Sequence, residues 1–353
     1  MLPAAGITRL ADITGLDWIG VPVYQAMRPN SRVLAVATGK GLTRAQAQVS
    51  ALMEALEGFH AEEIDQPTVC ETVGRMRRQL AYDPYALPLS EPSFLHDRLA
   101  IEWVAATDLW TGAPSWVPRQ LCELNFCVTE RCYTPLFRRS SNGLASGNRF
   151  AEALVHGLCE VIERDACWRN DRARFDPERS VAVETVYPRL AQRLLGHFAR
   201  AGMETAIVDM SGPTGLPCFE AWLDHSDGPG LMRGAGCHPS RLIALLRALT
   251  ECAQSRLTYI SGSRDDIHRR TYQSATSRSA VEQFRPVPNE SRRSFASAPT
   301  LAGTGFRAQV RAIVSRIQAV TGMSPLAVDL KRAGFGIPVV FVLAPGLSTR
   351  KIL

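Results

Sequence analysis

The chain has 353 residues, which is enough for one large domain or two ordinary ones. Its composition, 46% hydrophobic and 21% charged, is that of a globular protein, and no stretch approaches the roughly 18 apolar residues of a membrane span. The N-terminus lacks a basic segment followed by an apolar one, so we predict a cytoplasmic protein without membrane association. The net charge of +6 is spread without a dense basic run, and we therefore predict no nucleic-acid partner.

The first third of the chain predicts a strand pair followed by a long helix. The apolar runs "IGVPVYQAM" and "RVLAVAT" flank the turn signal "RPNS". Thr43 is the expected N-cap of a helix through "RAQAQVSALMEALEGFHAEE". Residues 64–98 are poorly periodic, and "IEWVAATDLWTGAPSWVP" predicts a hairpin that turns at Gly112 and Pro114.

The remainder predicts four further helices and several strands. A helix is expected from about Arg149 to Asn170, a second near 188–203 and a third from Ser240 to Ile260. Predicted strands are "TAIVDM", "CFEAWLD", "GLMRGAG", "PLAVDL" and "IPVVFVLAP", and "RAQVRAIVSRIQAV" predicts a last helix. Residues 263–304, rich in Ser, Arg and Pro, predict a long loop. The pattern indicates a mixed α/β (α+β) fold without regular βαβ alternation, and a single domain over 1–353.

Three of these helices carry polar faces, because residues three, four, seven or eight apart share one side of a helix. The three faces are Ser50, Glu54 and Glu57; Asn148, Glu152, His156, Glu160 and Glu163; and Arg247, Glu251 and Gln254. Two of them repeat an E-x-x-E spacing, although like charges at that spacing repel each other. A positive group between the carboxylates would offset this repulsion.

Hard cations such as Mg²⁺ prefer oxygen ligands and keep substrate phosphates in their coordination sphere. Lys40, Arg164 and Arg247 would then meet the phosphates. Carboxylates and cations of this kind are the parts of a nucleotide-using phosphoryl-transfer site. The chain has neither a G-x-x-x-x-G-K-[ST] loop nor a G-x-G-x-x-G motif after a strand, so the nucleotide would occupy an uncommon site.

Three other interpretations of these residues remain open. The faces could be the solvated sides of ordinary amphipathic helices. Glu57 and His60 form one E-x-x-H pair, whereas a carboxylate-bridged di-iron centre needs two. Cys122, Cys127 and Cys132 have a spacing at the loose end of zinc sites, and the odd total of nine cysteines favours free thiols.

Five segments carry a resemblance to a known family. They are "ITRLADITGLDWIGVPVYQAMRPNS", "GKGLTRAQAQVSALMEALE", "SNGLASGNRFAEALVHGLCEVIERDA", "RALTECAQSRLTYISGSRDD" and "GIPVVFVLAPGL". In this order they resemble the blocks of YcaO-domain proteins, over a core of about residues 6–347. The resemblance implies a YcaO-like fold whose pseudo-repeated halves of helix and sheet converge on a nucleotide.

The resemblance also implies ATP and Mg²⁺ as cofactors and a peptide or protein as substrate. A nucleophile adds to a backbone amide, ATP phosphorylates the amide oxygen, and phosphate leaves. A neighbouring Cys, Ser or Thr side chain then gives an azoline, external sulfide gives a thioamide, and an amine gives an amidine. By position, the resemblance implies Glu54, Glu57, Glu160 and Glu163 as Mg²⁺–nucleotide carboxylates, and as nucleotide contacts Lys40, Ser50, Asn148, Glu152, Arg164, Arg247 and Glu251.

Two departures from the family pattern shape the functional expectation. Gly58 follows Glu57 where the family usually has arginine, which removes a phosphate contact and weakens the helix. The chain ends in "PGLSTRKIL", without the proline-rich tail of azoline-forming members, and has no leader-binding domain. It is therefore most similar to stand-alone members that act with a TfuA-like partner in thioamidation. Azoline formation and a non-catalytic accessory role are the alternatives, and family analogy suggests a homodimer.

Overall fold

The computed structural model describes residues 2–127, 134–170, 177–225, 230–264, 266–267, 272, 292–301, 303 and 305–347. The strands are β1 (Arg9–Asp12), β2 (Val23–Met27), β3 (Val36–Lys40), β4 (Thr68–Thr72), β5 (Ala100–Asp108), β6 (Pro114–Pro118), β7 (Leu144–Ser146), β8 (Glu204–Asp209), β9 (Cys218–Asp224), β10 (Met232–Cys237), β11 (Leu326–Asp329) and β12 (Val339–Leu343). The helices are α1 (Arg44–Ala61), α2 (Val73–Arg77), α3 (Arg119–Cys122), α4 (Phe150–Arg169), α5 (Arg189–Arg200), α6 (Arg241–Ser261) and α7 (Phe306–Thr321). None of these described helices is long and apolar enough to cross a membrane.

Two small antiparallel sheets are each covered by one long helix. Strands β1, β2 and β3 form one sheet, and α1 packs across β2 and β3. Strands β8, β9 and β10 form the other, and α6 packs across β9 and β10. Thr43 caps α1 as predicted, because its side chain accepts a hydrogen bond from the Gln46 N–H at 3.2 Å.

Glycine sets how closely each helix approaches its sheet. A Cβ on Gly39 would lie 1.9 Å from the Ala51 nitrogen, and one on Gly236 would lie 2.2 Å from the Ala244 oxygen. Only a residue without a side chain lets strand and helix backbones come this near. This repeated arrangement of sheet and helix agrees with the expected pseudo-repeated halves.

The third sheet is central and has the order β4-β5-β11-β12-β7, with β6 pairing with β5. Helix α4 packs against β7 and β12 and against α7. The core on one side of this sheet includes the fully buried Trp103 and Phe137, and the α4 side includes Leu158 and Ile313. Strands β3, β7 and β10 contact α6, α1 and α4 respectively, and the three long helices surround one space.

The mixed α/β class and every long helix predicted from the sequence are confirmed, with boundaries within a few residues. The predicted strand pair and hairpin are confirmed as β2–β3 and β5–β6, with Gly112 at φ +75° in the turn. Strands β1, β4 and β7 were not predicted from the sequence. The predicted loop 263–304 lies mostly outside the described residues, and the single-domain division stays a prediction.

Candidate nucleotide-binding site

A polar cavity of about 580 Å³ lies where α1, α4 and α6 meet. Eight of the eleven site residues predicted from the sequence line it: Lys40, Glu54, Glu57, Glu160, Glu163, Arg164, Arg247 and Glu251. Gln254 of α6 lies on the same face as Arg247 and Glu251, as the helical spacing predicted, and also lines the cavity. We call this space the nucleotide cavity.

Three predicted nucleotide contacts, Ser50, Asn148 and Glu152, do not line the nucleotide cavity. The Asn148 backbone N–H donates to the Glu152 carboxylate at 3.0 Å, and the Asn148 amide donates to the same group at 3.1 and 3.2 Å. Glu152 thus closes the first turn of α4, whereas Glu160 lies two turns further on, about 12 Å along the axis. The single polar face seen in the sequence of α4 therefore divides into a cap and a cavity wall.

Two of the four predicted metal ligands are held by hydrogen bonds from neighbouring strands. Glu57 Oε1 accepts from the Ser146 N–H at 2.8 Å and from the Ser146 hydroxyl at 2.6 Å. Glu163, which is buried, accepts at Oε2 from the Cys237 N–H at 3.0 Å. Strands β7 and β10 end beside the cavity, so their backbone groups orient one carboxylate of each E-x-x-E pair.

Burial changes the protonation of the carboxylates. Loss of solvent, the largest effect, raises the pKa of Glu57 to about 8 against the hydrogen bonds from Ser146, and Glu54 and Glu160 add to the increase. Loss of solvent likewise raises the pKa of Glu160 to about 7, although Arg164 opposes it. Such a cluster of desolvated acids favours the binding of a cation. Among the described residues no three His, Cys, Asp or Glu side chains already converge as a metal site.

The cations of the cavity are placed beside these acids. Lys40 Nζ lies 2.6 Å from Glu251 Oε2, and Arg164 lies 3.7 Å from Glu160 and 3.8 Å from Glu163. Burial alone would raise the pKa of Glu251, but Lys40 and Arg164 outweigh it and hold that pKa well below its usual range.

Two buried polar atoms at the cavity lack a hydrogen-bond partner among the described residues: Arg247 Nε and Gln254 Oε1. Buried donors and acceptors are normally paired, so Arg247 and Gln254 have unused hydrogen-bonding capacity at the cavity. A cluster of acids for Mg²⁺, cations for phosphates and two unpaired polar atoms together fit a magnesium–nucleotide.

His60 does not support the di-iron interpretation. Its Nδ1 lies 2.9 Å from the Leu330 carbonyl and 3.2 Å from the Arg332 nitrogen, inside the core and outside the cavity lining. His60 therefore does not converge with Glu57 and the glutamates of α4. Of the three spaced cysteines, Cys122 is buried, Cys127 is exposed, and Cys132 lies outside the described residues.

Sequence patterns missed two residues of the site because they come from other segments of the chain: Ser146 holds Glu57, and Arg28 lines the cavity. Arg264, in the "GSRDD" end of a segment that resembles the family, also lines the cavity. Arg28 forms a buried 2.9 Å ion pair with Glu62, and its guanidinium would lie 3.6 Å from a Cβ on Gly58. The guanidinium of Arg28 thus lies beside the position where the family usually has arginine.

Comparison with known proteins identifies the family. Residues 38–348 match the family model described as YcaO cyclodehydratase, ATP- and Mg²⁺-binding. An uncharacterized protein of Mycobacterium tuberculosis is 35% identical over 364 residues, covering 98% of this chain and 79% of the relative. An uncharacterized protein of Rhizobium leguminosarum bv. trifolii, described as lying in the tfuA 3′ region, is 38% identical over 299 residues, covering 79% of this chain and 68% of the relative.

Solved structures share the fold. A heterocyclase in complex with substrate and cofactor superposes with a TM-score of 0.80 at 22% identity, covering 97% of this chain, which spans half the length of that protein. YcaO from Methanopyrus kandleri, bound with AMPPCP and Mg²⁺, superposes with a TM-score of 0.75 at 22% identity, covering 98% of this chain and 87% of that one. At the level of the family, the predicted cofactors ATP and Mg²⁺ are confirmed. The chain belongs to the YcaO family.

Proposed function

We propose that this protein is an ATP- and Mg²⁺-dependent enzyme that activates a backbone amide of a peptide or protein by phosphorylating its oxygen. The observation behind the proposal is the meeting of both E-x-x-E pairs with Lys40, Arg164 and Arg247 in one cavity. The acids and cations come from three helices and one strand, and a common function explains why they converge.

Different residues of the cavity have different roles in this proposed reaction. Ser146 and Cys237 fix the orientation of Glu57 and Glu163, which removes rotamer freedom before any ligand binds. Lys40, Arg164 and Arg247 place positive charge where phosphate groups would lie. When bound, ATP supplies the phosphoryl group that makes the amide oxygen a good leaving group, and Mg²⁺ neutralises phosphate charge.

We favour a thioamide as the product, formed together with a TfuA-like partner protein. The Rhizobium relative in the tfuA 3′ region supports it, because neighbouring genes often encode proteins that act together. Cyclodehydration to an azoline is the second candidate, favoured by the family description and by the structural match to a heterocyclase. Mass spectrometry of the modified peptide separates the two, since one reaction exchanges oxygen for sulfur and the other removes water.

Calorimetric titration with ATP, with and without Mg²⁺, tests the nucleotide site. We expect saturable binding that requires Mg²⁺ and that Glu160→Gln or Glu163→Gln abolishes without unfolding the protein. Glu204→Gln, the same change at an exposed residue of β8, is the matched control and should bind normally. Unchanged affinity in both cavity variants would contradict the carboxylate site.

Phosphate release tests turnover. A candidate peptide, sulfide and a TfuA-like protein should together increase phosphate release from Mg-ATP above the rate of the YcaO protein alone. Nucleotide binding without release under these conditions would instead support the non-catalytic accessory role, in which Gly58 marks a site that has lost activity.

A further inference from the structure

A second and larger cavity, of about 1300 Å³, adjoins the nucleotide cavity. We call it the groove. Its floor includes Cys70 of β4 together with Ala100 and Glu102 of β5. Cys70 and Glu102 are cross-strand partners, so their side chains lie on the same face of the central sheet. This volume exceeds the roughly 300–1,000 Å³ of small-molecule sites, which favours a segment of a polymer as the occupant.

The groove and the nucleotide cavity share a wall made of two short segments, 31–33 and 123–125. In the first, Arg32 lines the groove whereas the residues on either side of it line the nucleotide cavity. In the second, Leu124 lines the nucleotide cavity whereas its two neighbours line the groove. The Phe126 N–H donates to the Arg32 carbonyl at 2.9 Å and ties the segments together. Among the described residues, one layer of chain therefore separates the two spaces.

The lining of the groove combines balanced charge with apolar surface. Its charged members are Arg32, Arg119, Arg139, Glu63, Glu102 and Glu123. Arg119 lies 3.0 Å from Glu123 and 3.8 Å from Glu102, so part of this charge is already paired. Phe94, with 60% of its surface exposed, contributes an apolar anchor. A nucleic acid would need an excess of positive charge, whereas a peptide with mixed side chains matches this surface.

We propose that the groove binds an extended segment of the peptide or protein substrate, and that the substrate chain next to this segment passes the shared wall so that its backbone amide enters the nucleotide cavity. This inference rests on the proposed function, because it names the place where the substrate of that reaction is held. Binding in the groove requires no nucleotide contact, so the two ideas can be tested separately.

Random-sequence peptides displayed as a library are the probe, selected on the full chain in the presence of Mg²⁺ and AMPPCP. Cys70→Trp fills the floor of the groove, and Phe94→Ala removes an exposed anchor. Val69→Trp is the matched control, because it adds the same ring to the adjacent exposed residue on the opposite face of β4. We expect selected peptides to bind Cys70→Trp about tenfold or more weakly, Phe94→Ala severalfold more weakly, and Val69→Trp within about twofold of the unchanged protein.

Calorimetry with Mg-ATP on the same variants separates this proposal from the proposed function. Normal Mg-ATP binding with loss of peptide binding only in the groove variants supports the groove as the peptide site. Failure to select any peptide, or equal peptide binding by all variants, would overturn the groove while leaving the nucleotide site intact. Absence of Mg-ATP binding with groove-dependent peptide binding would overturn the proposed function alone.

Discussion

The unit of β2, β3 and α1 and the unit of β9, β10 and α6 share one scaffold but present different chemistry. The same sequence interval separates Gly39 from Gly236 and Glu54 from Glu251. At the next cavity-facing turn, however, α1 carries Glu57 and α6 carries Gln254. One helix therefore offers two acids to the nucleotide cavity, and its counterpart offers one acid and an amide.

The equivalent residues Glu54 and Glu251 differ in pKa because their charged neighbours differ. Burial raises the pKa of Glu54, whereas Lys40, 2.6 Å from Glu251, helps to hold the pKa of Glu251 well below its usual range. Glu251 forms an ion pair with Lys40, whereas no ion pair among the described residues reaches Glu54 or Glu57. Lys40 and Arg264 lower the pKa of Glu54, but burial outweighs them. This difference favours α1 as the unit that gains more from an added cation, and we propose Mg²⁺ in that role.

Replacing Glu57 by glutamine gives α1 the side chain that α6 has at the corresponding turn. Of the substitutions that compare the two units, we expect this one to have the largest effect. The amide oxygen can still accept from Ser146, so the fold should persist, but one negative ligand is lost. Calorimetry should show Mg-ATP affinity reduced by about 100-fold or more, equivalent to about 2.7 kcal/mol. If Glu57→Gln binds Mg-ATP as tightly as the unchanged protein, the difference between two acids on α1 and one acid with an amide on α6 has no functional meaning.

Gly39→Ala and Gly236→Ala test whether both units depend on the same close helix–strand contact. In either position the new methyl group would overlap the helix backbone, so helix and strand must separate. We expect each change to lower the free energy of unfolding by about 1–3 kcal/mol, measured by urea denaturation. Gly15→Ala is the control, because nothing lies within 4 Å of its Cβ position. A destabilisation confined to one unit would show that the repeat is only superficial.

The raised pKa values predict opposite pH dependences for stability and for binding. Glu57 and Glu160, with pKa values near 8 and 7, bind protons in the folded protein at a pH where the unfolded chain, with pKa 4.5, does not. The folded state without ligand should therefore lose stability as pH rises from about 4.5 to 8. Mg²⁺ requires the ionised carboxylates, so Mg-ATP affinity should rise about tenfold or more between about pH 6 and 8.5.

Thermal unfolding and calorimetry across this pH range check both trends. Glu57→Gln removes one of the titrating groups and should make the loss of thermal stability less steep. Parallel pH profiles in the variant and the unchanged protein would mean that other groups control the stability. An Mg-ATP affinity that does not change with pH would mean that the carboxylates are already ionised.

Local sequence patterns predicted the helices and the residues that each helix points into the cavity. The spacing of Glu54 and Glu57 and of Arg247 and Glu251 was sufficient, because helical periodicity fixes which residues share a face. The same rule placed Glu152 with Glu160, but the hydrogen bonds to Asn148 use Glu152 as a cap instead. Ser146 could not be predicted, since its role depends on where β7 pairs with β12, a contact distant in sequence.

Gly58→Ala is expected to have the smallest effect. It tests whether glycine at the position after Glu57 weakens helix α1 or the binding of Mg-ATP. The nearest atom to a Cβ on Gly58 is Arg28 Nη1 at 3.6 Å, an ordinary contact, and the helical backbone there needs no positive φ. Alanine should stabilise α1 by about 0.5–1 kcal/mol, seen as a small increase in the urea midpoint, because it lowers the entropy of the unfolded chain. Mg-ATP affinity should stay within about twofold, since Arg28 already lies beside that position and a methyl group adds no phosphate contact. A gain in affinity together with stability would show instead that the flexibility of α1 at Gly58 weakens the Glu54–Glu57 pair.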